Sequence, residues 1–194
     1  NVFIGNQSGA SNTIGGDNVF MGTQAGLNNI LGNYNTFLGF ESGFTNGGSD
    51  NTFIGYQAGK AHQDKGGNVY IGSKAGRAAT QGEQNVYIGE FAGDSTTTGN
   101  QNVFMGFKAG QSNKSGKRNI FIGSESGLNQ LTGEDNVFLG YQTGINAKFA
   151  KYNVFLGFQA GLATIGGASA GHTNVFIGYG AGKGNVTGRS NVYI

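Results

Sequence analysis

Three consecutive apolar residues recur along the chain, always between an Asn and a Gly: Val2-Phe3-Ile4, Val19-Phe20-Met21, Thr36-Phe37-Leu38, and onward to Val175-Phe176-Ile177. Each triplet is β-branched and aromatic and is bounded by turn residues, so it predicts a very short strand. The surrounding pattern is Asn-[Val/Thr/Ile]-[Phe/Tyr]-[Ile/Leu/Met]-Gly-x-x-[Ala/Ser/Thr]-Gly. It begins at Asn1, Asn18, Asn35, Asn51, Asn68, Asn85, Asn102, Asn119, Asn136, Asn153 and Asn174, with a truncated copy at Asn191. Nine of the eleven intervals are 17 residues, one is 16 and one is 21. A third Gly usually falls three residues before the next Asn, as at Gly15, Gly82 and Gly133, so each unit has one strand and three bends.

Such a unit cannot bury its own apolar side and must stack on its neighbours. The expected fold is all-β, a parallel β-solenoid or β-roll with about 17 residues per coil. One repeat domain is expected over residues 1–194, with eleven coils, a truncated twelfth and a loop insertion at 162–173. Stacking turns equivalent positions into columns. The Asn column (Asn18, Asn35, Asn51, Asn68, Asn85, Asn102, Asn119, Asn136, Asn153 and Asn174) reads as a structural ladder in which amides bond to one another and to the bend.

Alternation along the strand puts the second and fourth positions on one face and the third on the other. Both faces are apolar, yet a thin coil has one interior. If the Val and Ile positions fill it, the aromatic column points outward. Phe3, Phe20, Phe37, Phe53, Tyr70, Tyr87, Phe104, Phe121, Phe138, Phe155, Phe176 and Tyr193 then become candidates for an oligomer interface, with a trimer as the natural arrangement for a slender fibre. If the rings fill the coil instead, the Val/Ile face is left as an apolar ladder that needs a cover.

The repeat resembles the Ser-Val-Ala-Ile-Gly type units in the heads of trimeric autotransporter adhesins. It is also similar to the Asn-Thr-x-x-Gly-Tyr-Gln-Ala-Gly units of phage-type trimeric tail fibres and bacterial surface fibres. Residues 51–59, Asn-Thr-Phe-Ile-Gly-Tyr-Gln-Ala-Gly, carry this likeness most fully. The unit here is longer, and a bulky aromatic stands where the adhesin repeat has a small residue. The resemblance implies a left-handed roll, a parallel homotrimer, an extracellular or virion-tail location, and a structural or adhesive role in attachment. The partners expected are further copies of the chain and a surface glycan or protein of a host or prey.

Composition narrows the alternatives. With 39 Gly and no Pro or Cys, the chain is unlike a helical domain, collagen or a disulfide scaffold, and thiol or Cys-zinc chemistry is absent. A net charge of +2 without a basic stripe argues against nucleic acid; Lys114, Lys117 and Arg118 share one bend. No apolar run in the sequence is long enough for a membrane span. No enzyme, cofactor or metal site is expected. His62 and His172 read as surface histidines without catalytic partners, and the Asp column of calcium-binding nonapeptide repeats is missing. Glu90 and Glu125, two coils apart, could only loosely imitate a glycosidase pair. Thr36 and Thr52 are too few for an ice-binding array. A second aromatic set follows the first Gly, and within it Tyr56, Tyr141 and Tyr179 are candidates for stacking on a glycan.

Overall fold

The structure is a computed structural model that describes residues 1–164 and 171–194. It is a parallel β-solenoid. Twelve strands, from β1 (Val2–Ile4) to β12 (Val192–Tyr193), form one sheet in chain order. Each strand pairs in register with its equivalent one coil on, so Phe20 lies beside Phe3 and Phe37. Of the predicted insertion, residues 165–170 lie outside the described residues; Leu162, Thr164 and Thr173 at its edges keep the solenoid path.

The strands are short because Gly ends each of them. Gly55 has φ +131, and a Cβ there would lie 2.6 Å from the carbonyl oxygen of Gly72 in the next coil. Only Gly fits both the dihedral and the approach. Gly59 has φ +59, and its Cβ would lie 2.5 Å from the Phe53 ring, so the turn closes directly over the aromatic side chain. Two further columns adopt the left-handed region mostly at residues other than Gly: one runs through Gln24, Gln57 and Gln142, the other through Asp17, Asp50 and Asp135. Four bends in that region thus turn a coil that the sequence pattern alone divides into three.

The aromatic column is the core. Phe20, Phe37, Phe53, Tyr70, Tyr87, Phe104, Phe121, Phe138, Phe155 and Phe176 are fully buried inside the single chain. Their rings stack in near-parallel planes, with centroids 4.7 Å apart for Phe20–Phe37 and 4.9 Å for Phe104–Phe121. Outward placement of this column is therefore corrected. The rings are the largest apolar groups in the repeat, and burial of each contributes about 2–3 kcal/mol relative to exposure. The small eighth residue leaves them room: Ala58, Ala75 and Ala92 are buried against the rings. Where that residue is Ser42 or Ser126, the hydroxyl donates to the carbonyl of Phe53 or Phe138 in the following coil. Phe3 and Tyr193 belong to the same column but stand on the outermost strands, and they are 37% and 44% exposed.

The Asn column forms the expected ladder. The backbone N–H of Asn102 donates to Oδ1 of Asn85 (3.0 Å), and that of Asn119 donates to Oδ1 of Asn102 (3.0 Å). The Nδ2 group of Asn102 donates to the Gly116 carbonyl (2.8 Å), reaching across to the third bend of its own coil. The backbone link continues from Asn18 to Asn191. Buried amides are satisfied at each step, which removes the desolvation penalty they would otherwise carry.

Candidate functional site

With the rings inside, the second and fourth strand positions face outward. They form two adjacent columns, Val/Thr/Ile and Ile/Leu/Met, that run the length of the rod. Met21 is 41% exposed and Ile120 39%; Ile122, Met105 and Ile177 are exposed to a similar degree, the columns are open on the end strands at Val2, Ile4 and Val192, and the other strand residues in them are half-buried by their own neighbours. The surface is an apolar stripe two columns wide, bounded on one side by the Asn bend and on the other by Gly. The stripe was legible in the sequence as one of two apolar faces; its position outside the coil comes from the structure.

A second exposed element is the aromatic set after the first Gly. Tyr141, Phe158 and Tyr179 form a continuous stack, with centroids 5.3 and 5.0 Å apart, and Tyr56 stacks on Phe40 at 5.6 Å. Tyr56 and Tyr141 are about half exposed and Tyr179 is 85% exposed. The geometry limits what these rings can do. Neighbouring planes are nearly parallel at the spacing of the coils, so a shared face is covered by the next ring and the edges face solvent. A sugar needs a ring face. Tyr179, at the end of its stack, offers far more surface than Tyr141. Beside the rings runs a ladder of polar side chains in which Gln142 Nε2 donates to Glu125, Gln159 to Gln142, and Lys183 to Gln159. Glu125 is thus engaged by this ladder, whereas Glu90 stands exposed one position earlier in its own coil.

His62 is not on the surface. It is fully buried and replaces an Asn of the preceding coils in an interior column that includes Asn29 and Asn46. Its Nδ1 lies 3.0 Å from Oδ1 of Asn46, and its Nε2 lies 3.1 Å from Nδ2 of Asn68. Since Asn46 Nδ2 is already committed to the Gly48 carbonyl, Asn46 Oδ1 faces Nδ1 as an acceptor, and Nε2 also lies 3.1 Å from the Gly82 carbonyl. Burial lowers its pKa to about 4, so the ring is neutral across the physiological range. The two Tyr of the core column sit in coils whose interior residue is Ala79 or Thr96 instead of Asn, which makes room for the phenol. Burial pushes both phenols up.

The basic bend is paired with acids. Arg118 bonds to Asp135 through Nε (2.7 Å) and reaches Glu134, which also receives Lys151. Contact with Arg118 holds the Asp135 carboxyl below its ordinary range, and Lys151 does the same for Glu134. Among the described residues there is no group of three or more His, Asp or Glu placed to hold a metal ion, and no helix is long and apolar enough to cross a membrane. The chain matches no protein-family model, and neither a curated protein nor a solved structure matches it significantly.

Proposed function

We propose that this chain is a rigid structural segment of an extracellular trimeric fibre, a stalk or head that serves attachment, in which three rods pack side by side through their Val/Ile stripes. The carrying observation is that stripe, which is continuous, apolar and exposed along the sheet. Parallel sheets are ordinarily covered on both faces, and contiguous apolar surface of this extent marks an interface. The stripe is narrow, with the Asn bend on one side and the Gly turn and its exposed aromatic set on the other, which suits packing about a central axis. Identical coils in each chain would bring like columns together at every level, a self-complementary arrangement under closed symmetry. The fibre likeness of residues 51–59 supports the attachment role.

Light scattering on the purified chain is expected to give three times the 20.0 kDa chain mass. Placing Glu at Met105 and Ile122 should yield monomers that retain their β circular dichroism. A monomeric wild-type chain would overturn the lateral interface, and a stable dimer would overturn the three-fold arrangement. A second reading, a rod whose surface itself binds glycans or cells, draws on the exposed ring of Tyr179.

A further inference from the structure

We propose that a cleft on the third-bend corner of the last coils binds an acidic sugar, with Arg189 receiving the carboxylate and the aromatic rings of Phe149 and Tyr152 receiving the sugar ring. The cleft has a volume of about 900 Å³ and is lined by Phe149, Lys151, Tyr152, His172, Arg189 and Ser190 among others. That size is at the upper end of the range for small-ligand sites.

The chemistry differs from that of the other corners. In the column two residues before each Asn, the rod carries Lys117, Glu134, Lys151, His172 and Arg189 in succession. Glu134 is occupied by Lys151 and Arg118. Beyond it the column supplies no further acid, and no carboxylate among the described residues lies within ion-pair distance of Arg189. An exposed guanidinium in a concave surface presents a planar fork that matches a carboxylate. Phe149 and Tyr152 are 40% and 55% exposed, although the equivalent sites two coils earlier hold Ser115 and Arg118. Neither ring belongs to a stacked pair, unlike Tyr141 and Phe158, so their faces are not taken up by a neighbouring ring in the column. His172 helps fix the corner: its Nδ1 accepts the Lys151 backbone N–H at 3.0 Å, and its carbonyl accepts from Ser190.

A cation beside two aromatic rings and a hydroxyl is the chemistry that recognises a sugar bearing a carboxylate. Nucleic acid would require the basic column to continue along the rod, and here Glu134 and Asp135 bound it. The reading is independent of the lateral interface, because the cleft and the apolar stripe lie on different parts of the coil.

The test is titration of the full chain, followed by NMR or calorimetry, with a galacturonate tetramer and with its methyl ester, which keeps the sugar and removes the charge. Saturable binding of the acid is expected, weakened about tenfold or more by esterification, by Arg189→Gln and by Tyr152→Ala, the scale of one lost charge-assisted hydrogen bond or stacking contact. Arg77→Gln, several coils away where Arg77 pairs with Asp94, should leave affinity unchanged. Equal binding of acid and ester would overturn the carboxylate role, and so would no saturable binding at millimolar concentration. Equal displacement by inorganic phosphate would reduce the site to a general anion contact and overturn the sugar. Circular dichroism spectra matching the wild type would show that both variants are folded.

Discussion

Two stretches of each coil obey different rules. From the Asn to the second Gly, every complete coil has the same length and the same partners. Between the interior residue (Asn29, Asn46, His62 and their equivalents) and the third bend, the chain spends two residues in most coils, one in the coil that starts at Asn35, and six in the coil that starts at Asn153. Hydrogen bonding separates them as well. On the strand side, Val19 N–H meets the Asn35 carbonyl at 2.8 Å and Val86 meets Asn102 at 2.8 Å. At the corner, the N–H groups of Thr13, Ile14 and Gly15 share the single carbonyl of Ile30, each at 3.3 Å. Length is held where backbone groups and buried side chains both pair one to one, and it drifts where several donors share one acceptor at the surface. The corner is also where the aromatic and cationic cleft lies.

The contrast can be broken hardest on the strand side. Phe104→Ala, in the middle of the stack, removes a fully buried ring with a ring on either side. It should cost about 3–5 kcal/mol, read as a fall in the urea midpoint. Acid probes the same interior through His62. Its pKa of about 4 in the folded chain lies below the unfolded value of 6.5, so the unfolded chain takes up the proton first as pH falls. Stability is full above pH 6.5 and should drop by about 3 kcal/mol as pH approaches 4, at about 1.4 kcal/mol per unit. His62→Asn, which restores the residue at Asn29 and Asn46, should flatten that part of the pH profile; an unchanged slope would assign the acid response elsewhere. Asn102→Ala breaks the ladder and leaves the N–H of Asn119 and the carbonyl of Gly116 without their partner. A loss of about 2 kcal/mol is expected in the same urea assay. The smallest effect belongs to the corner: two Ser residues inserted between Thr97 and Thr98 should shift stability by less than about 1 kcal/mol, as loop-closure entropy grows slowly with length. A collapse on that insertion would erase the distinction between the two stretches.

The sequence carried the coil length, the strands and the Asn ladder because these repeat as residue types. It did not carry which strand face points inward. Alternation sorts a strand into two sets, and it identifies the interior only when one set is polar; here Val19 and Met21 are as apolar as Phe20. A signal was nevertheless present. Gly59 and its equivalents bear no side chain where the ring of Phe53 lies. That bare column is what a turn closing over an enclosed ring requires. The left-handed bends in the columns of Gln57 and Asp50 were less readable, since Lys74 and even Phe91 occupy the first, Tyr34 and Arg118 the second, and none of these favours φ > 0. Burial of His62 was missed because a lone His among turn residues gives no sign of the column it joins. The corner cleft was invisible for a related reason: Phe149, Tyr152, His172 and Arg189 are spread over 41 positions and meet only because coils stack.

The Asn ladder has a consequence for how such a chain changes length. Every joint between coils is closed by the same backbone-to-amide bond, so a coil holds no record of its place in the stack. Excision of residues 102–118 would set Asn119 against Asn85 and Phe121 against Tyr87, re-forming the joint with the same atoms. The rod would shorten by about 4.8 Å, one strand spacing. Duplication or loss of one unit therefore resets reach in fixed increments without redesigning the Asn joint, as the graduations of a ruler do.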